Sequence, residues 1–314
     1  MVVMANDVMV FAPTPLLTVT LECPNTNGVE LHLHAGGQGV WQARMVRSFG
    51  LRVTLCGCVG GEIGDVVAPL IAREGVKLKL VNRMDSNGWY VDDRRQGERR
   101  RLAEASGQPL GRHELDELYG LTLTEGLDAS VSVLSGPPDP SVVPADVYRR
   151  LASDLGGQGR HVVADLSGEQ MDAALRGGVQ FAKLSQEEMI DQGQLTSTTD
   201  DAVISMLEEV RERGAESVLI SRAGEPALCL LDGTVYRVRV PRLEEADHHG
   251  AGDSMTAGVA ATLARGGSLT EAVRTGAAAG ALNVTRHGLG TGNVDTIAKF
   301  AKRVELSAVR RAGS

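Results

Sequence analysis

Short apolar runs alternate along the chain with longer stretches of helical period. Runs at 8–11, 52–59, 129–135, 161–166, 181–184 and 217–220 are rich in Val, Ile and Leu, with Gly, Ser or charged residues at their ends. That pattern predicts buried strands. Stretches at 39–49, 65–74, 145–155, 170–175 and 199–213 predict the helices between them. Two strand ends carry capping-box spacing, Ser167 with Gln170 and Ser185 with Glu188. The order strand, cap, helix, strand predicts a three-layer α/β/α architecture around a mostly parallel sheet.

Two regions break the rhythm. Residues 17–34 alternate polar and apolar, and 89–101 are charged around a turn at Arg94-Arg95-Gln96-Gly97. Both predict half-exposed antiparallel strands added to the main sheet. A hairpin is expected over 226–239 around Asp232-Gly233, then helices at 253–265, 269–286 and 294–304. Gly266-Gly267 stops the first of these, and Ser268 with Glu271 caps the second. No linker composition and no repeat divides the 314 residues, which are read as one domain.

Composition narrows the function. Aromatics are only 3% of the chain, so Val, Leu, Ile and Ala must fill the core. Against 40 acidic residues stand 32 basic ones, a net charge of −8. Such a chain has no bulk attraction for nucleic acid or an anionic membrane. The first residues carry an acid where a signal peptide wants bases, and no apolar stretch reaches the length of a membrane span. Cys23, Cys56, Cys58 and Cys229 do not form a zinc pattern, and Cys56 and Cys58 are too close for an ordinary bridge. These features predict a soluble, cytoplasmic protein with reduced thiols.

The segment Asp247-His248-His249-Gly250-Ala251-Gly252-Asp253 runs straight into a helix. Amides of Gly250, Ala251 and Gly252 can converge on an anion there, helped by the helix dipole. Asp253 beside such an anion would serve to accept a proton from an attacking hydroxyl. A bland reading stands equally: the small residues only permit close packing, and Asp253 only complements the dipole. A second glycine-rich turn, Ala35-Gly36-Gly37-Gln38-Gly39, also leads into a helix.

The two turns, in this order, resemble the ribokinase-like (PfkB) carbohydrate kinases, closest to the 1-phosphofructokinase and tagatose-6-phosphate kinase branch. Phe49-Gly50 and Val59-Gly60-Gly61-Glu62-Ile63-Gly64 are similar to that family's LG…VGxDxxG run. Ser135-Gly136-Pro137-Pro138 resembles its SGxxPP loop, Lys183–Glu188 its KPNxxE element, and Gly250–Asp253 its GAGD signature. The resemblance covers nearly the whole chain. It implies Mg²⁺-dependent transfer of the γ-phosphoryl group of ATP to an alcohol of a sugar or sugar phosphate. Asp253 would be the base, with Gly250, Ala251 and Gly252 holding the transferring group. Glu188 would help organise Mg²⁺. Lys183, Ser185, Ser221, Gly224, His248 and Asn283 would border the nucleotide. Thr18, Gly36, Gly37, Gln38, Trp41 and Ser135 would face the sugar. The aberrant strands, at about 17–34 and 86–103, would form a small β lid within the domain. That lid is often a dimer interface in the family, so a homodimer is open.

Departures cluster on the sugar side. Thr18 is placed where the family carries an acid, Gln38 replaces Lys and Trp41 replaces Asn. Ser185 replaces Asn, Ala223 a common Gly, and His248 a usual Thr. Either the acceptor is an unphosphorylated alcohol, or Arg44, Arg83, Arg94-Arg95 or Arg99–Arg101 grip its phosphate; the arginine-rich stretch also reads as a solvated face. A nucleoside kinase, suggested by Trp41, and a non-catalytic nucleotide or sugar sensor remain as alternatives. His32 and His34 share a strand face, His249 precedes the anion hole, 287–291 ends a helix, and Asp165 stands at a strand's C-terminal end.

Overall fold

The computed structural model describes residues 6–23, 28–241, 243, 250–283 and 292–311. In chain order its strands are β1 (Asn6–Phe11), β2 (Leu16–Glu22), β3 (Glu30–Gly36), β4 (Val53–Gly60), β5 (Lys77–Arg83), β6 (Trp89–Asp93) and β7 (Arg100–Ala105). Then come β8 (Ala129–Ser135), β9 (His161–Asp165), β10 (Val179–Ser185), β11 (Ala215–Ser221), β12 (Ala227–Leu231), β13 (Thr234–Arg239) and β14 (Glu305–Arg311). The helices are α1 (Gln38–Ser48), α2 (Gly61–Arg73), α3 (Arg112–Leu127), α4 (Ala145–Gly157) and α5 (Gly168–Gly177). They continue as α6 (Gln186–Asp191), α7 (Asp200–Glu212), α8 (Ala251–Ala264), α9 (Leu269–Asn283) and α10 (Val294–Ala301).

Ten strands form one sheet in the order β14-β13-β12-β11-β10-β9-β8-β1-β4-β5. From β11 to β5 every pairing is parallel, and the three-strand edge β12–β14 is antiparallel. Both faces are buried, as parallel sheets require. Alternation along β1 shows it: Met9 and Phe11 enter one core with Tyr148 and Leu151 of α4, Val8 and Val10 the other with α1, α8 and α9. With few aromatics, close helix contact replaces bulk. A β-carbon on Gly258 of α8 would meet the Gly276 Cα of α9 at 2.8 Å. Gly258→Ala is expected to cost about 1–3 kcal/mol through overpacking. Urea unfolding checks this, and an unchanged midpoint would refute it.

The aberrant strands are not added to the main sheet. They form a second sheet, β3-β2-β6-β7, in which β2–β3 and β6–β7 pair antiparallel as expected and β2 and β6 run parallel. Pro13 and Pro15 lie between β1 and β2. Without backbone N–H groups they cannot continue the ladder, so the chain leaves the sheet there. Buried Asn87 ties the small sheet to the large one: its amide donates to Pro15 O at 2.8 Å and Cys58 O at 3.0 Å and accepts from Gly60 N at 2.7 Å. Thr18, Thr20, Tyr90 and Asp92 occupy its buried face. Val19, Leu21, Leu31, Leu33 and Val91 share the other, where Leu31 is 60% exposed.

Of the expected caps, Ser268 and Glu271 form the reciprocal pair. Neither Ser167 nor Ser185 caps its helix through its side chain. The Ser185 hydroxyl instead donates to Glu187 at 2.8 Å. Helix α3 and strands β5 and β14 escape the sequence pattern. The inward positions of α3 include Thr122 and Glu125, which hide its apolar stripe, and β5 and β14 are charged edge-side strands. No helix among the described residues is long and apolar enough to cross a membrane.

Candidate active site

The strand order reverses between β1 and β8, the place where open α/β sheets bind ligands at strand C-terminal ends. Helices α1 and α8 point their N-terminal parts at this end. Gly250, with a left-handed φ of 73°, turns the chain into α8. Glycine takes that conformation without steric cost. The first amides of α8 are free of helical partners and carry its positive dipole end. In that first turn Asp253 is buried.

Around Asp253 the fold assembles a charged cluster from distant segments. Asp165 ends β9 and Lys183 lies on β10, directly beside it in register. The Lys183 ammonium sits 3.3 Å from Asp165, and both side chains are nearly inaccessible. A β-carbon on Gly252 would meet that ammonium at 2.5 Å, so glycine keeps the cradle between α8 and β10 open. Thr256 donates to Asp165 at 2.6 Å. Gln42 of α1 donates to Asp165 at 2.9 Å and to Asp253 at 3.5 Å, and accepts from the Ser135 hydroxyl at 2.5 Å.

Burial, then the charge of Asp165, pushes the Asp253 carboxyl up to about 8, against the opposing pull of Lys183. Burial acts to lower Lys183, but Asp165, Asp253 and Glu188 outweigh it and hold the ammonium above its usual range. Burial also raises Glu188, at the start of α6. An acid held high beside a permanent cation is the kind of pair that proton-transfer sites use.

Next to this cluster, Glu187 joins the ends of β10 and β11. It accepts from Ser185 and, at 2.7 Å, from Ala223 N. Burial raises its carboxyl, yet these donors hold it below its usual range. Ser185 and Ser221 face each other in register, and Ser221 donates to Leu184 O at 3.2 Å. Gly224 follows with a left-handed φ of 72° and open space beside it. Asn283 is buried at the end of α9, whose Gly280 backs onto Ala251 O.

The opposite side is built on α1 and the small sheet. Gln38 accepts from Gly136 N at 2.7 Å, fixing the loop after β8. Gly36 has no room for a side chain between Thr18, Leu16 and the half-buried Trp41. Gly37, at φ 101°, leads into α1. Tyr90 pairs with Thr18 across the sheet, and burial raises its phenol.

Six of the arginines expected to grip a phosphate carry acids of their own. Arg44 binds Glu74 at 2.6 Å and Arg83 binds Asp85 at 3.2 Å. Arg95 and Arg100 bind Asp93, while Arg99 and Arg101 bind the fully buried Asp92. Arg101 also stacks over the Tyr90 ring at 3.9 Å. His32 and His34 stack with centroids 6.2 Å apart. No group of three or more metal-ligating side chains stands among the described residues. His248, His249 and 287–291 lie outside the described residues.

The sequence carried no expectation for Gln42 or Thr256, whereas Asp165, expected to face the site from its strand end, stands within the cluster. One signal was present for Gln42: an amide inside the apolar stripe of Val40, Ala43, Met45 and Val46.

Free helix-start amides beside a buried acid and ammonium suit the chemistry of phosphoryl transfer. Comparison with known proteins agrees. The pattern of the pfkB family carbohydrate kinases matches residues 7–297. The ATP-dependent 6-phosphofructokinase isozyme 2 of Escherichia coli (strain K12) is 30% identical over 257 residues, 81% of this chain and 82% of that one. The 1-phosphofructokinase of Bacillus subtilis (strain 168) is 26% identical over 258 residues, covering 82% and 84%. The crystal structure of phosphofructokinase-2 from Escherichia coli in complex with potassium superposes with a TM-score of 0.84 at 25% identity, covering 95% of this chain and 99% of that one. The chain belongs to the pfkB family of carbohydrate kinases.

Proposed function

We propose that this kinase moves the γ-phosphoryl group of ATP to a hydroxyl of a sugar or sugar phosphate, with Asp253 as general base. The observation that carries this reading is Asp253 itself, buried in the first turn of α8 behind left-handed Gly250. The acceptor hydroxyl gives its proton to Asp253 as its oxygen bonds to phosphorus. The bond from phosphorus to the bridging oxygen breaks, and ADP leaves with that electron pair. Amides of Gly250, Ala251 and Gly252 receive the charge that spreads over the phosphoryl oxygens. Lys183, held by Asp165, supplies a fixed cation beside them. In this reading Ser185, Ser221, Gly224, Asn283 and His248 border the nucleotide.

Glu188 suits Mg²⁺, a hard ion that takes one or two carboxylates, waters and substrate phosphates rather than a full protein cage. Bound there, the ion neutralises triphosphate charge. The small sheet closes over the acceptor as a lid within a single domain and excludes water. Its face of Val19, Leu21, Leu31, Leu33 and Val91 suits a homodimer. Free, buried Cys56, Cys58 and Cys229 fit a reducing cytoplasm.

A second reading of the acceptor has its own support. Four lid arginines are engaged in ion pairs with Asp92 and Asp93, and Trp41 presents an apolar face. Both favour an uncharged alcohol, a free sugar or a nucleoside.

The test is ADP release with Mg-ATP across ketohexose phosphates, free sugars and nucleosides. Turnover with one panel member is expected and names the class; silence with ATP binding intact would favour a sensor. The base must be ionised to work. With a carboxyl raised to about 8, kcat/KM should fall as pH drops through that value. An acid limb near 4 would count against Asp253.

A further inference from the structure

Gln42 is fully buried, yet it carries an amide into the charged cluster around Asp253. It lies one turn beyond Gln38 on the same face of α1. The two glutamines hold consecutive residues at the end of β8: Gln38 takes Gly136 N, and Gln42 takes the Ser135 hydroxyl. The other end of the Gln42 amide is shared between the carboxylates of Asp165 and Asp253.

We propose that Gln42 is a positioning residue, which holds the Asp253 carboxylate in place and ties it to the acceptor-side loop that begins at Ser135. The inference rests on Asp253 acting as the base. Asp165 is anchored three ways, by Gln42, by Thr256 and by Lys183. It therefore fixes the amide, and the amide then reaches Asp253 at 3.5 Å. That distance is long, as catalytic hydrogen bonds in empty sites often are. An amide suits the place because two neighbouring carboxylates repel each other and a neutral donor relieves both without titrating. The groups facing Asp253 are Asp165 from β9, Lys183 from β10, Glu188 from α6 and Gln42 from α1. Among these, Gln42 alone is uncharged and also reaches the acceptor side.

Titration of the Asp253 carboxyl tests this without a known acceptor. Carbon-13 NMR of the full chain, labelled at aspartate Cγ and assigned with Asp253→Asn, gives its midpoint. Gln42→Met keeps the volume and removes the donor. The Asp253 midpoint should rise by about one pH unit, the size of one lost charge-assisted hydrogen bond. Gln42→Asn, too short to span the gap, should do the same and provides the reading if the Met variant does not fold. Val46→Ala, a cavity on the same helix, should lower the melting temperature and leave the midpoint unmoved. An unchanged midpoint in the folded Gln42 variants overturns the proposal. Full turnover in Asp253→Asn would instead overturn the base assignment, while the contact read by NMR would stand.

Discussion

Asp253→Asn is expected to lower kcat by about 10²- to 10⁴-fold, the range that general-base removal gives, and to leave ATP binding intact. Asn keeps the shape and removes the proton acceptor. It does not cost stability. The Asp253 carboxyl is raised by burial and by Asp165, so the folded protein prefers its protonated form. A raised carboxyl stabilises the fold at low pH, and that contribution is lost as pH climbs from the ordinary carboxylate range through about 8. A neutral amide avoids the buried charge, so the variant should unfold no earlier than the parent above pH 8. Melting curves and ATP titrations run beside the turnover assay separate the two effects. Turnover within tenfold of the parent would remove Asp253 from the chemistry.

Lys183→Met should be the most destabilising single change at the site. The ammonium is buried against Asp165 at 3.3 Å and faces Asp253 and Glu188 as well. Methionine fills the space and leaves those carboxylates without their shared cation. Removing one partner of a buried pair costs about 3–5 kcal/mol, because the remaining charge is stranded. Adding Asp165→Asn removes part of the stranded charge and should recover much of the loss, a non-additive result expected of contacting groups. Urea unfolding of the two single variants and the double variant at pH 8 measures this. A loss below about 1 kcal/mol would mean water or another group already screens the cluster.

Local pattern reached far into this protein. The β1, β4 and β8–β11 runs, the Gly250–Asp253 turn and the Ser268 cap were all legible, because period, turn glycines and capping spacing are properties of neighbouring residues. Family membership was legible for the same reason: its signatures are short and contiguous. Charged edge strands β5 and β14 were not: β5 alternates Lys with Leu over only four residues, and pairing with β4 and β13 is what fixes the two as strands.

What joins Gln42 to Asp165 spans 123 residues, Gln42 to Asp253 spans 211, and Thr256 to Asp165 spans 91. No local signal reports such pairs. They exist because the sheet reverses its strand order between β1 and β8, bringing α1, β9, β10 and α8 to one end of the sheet. Residue chemistry along the chain could name Asp253 as an acid beside an anion site. Its elevated carboxyl, its amide tether and the ion pairs of the lid arginines follow from burial and tertiary pairing, which arise when the chain is packed.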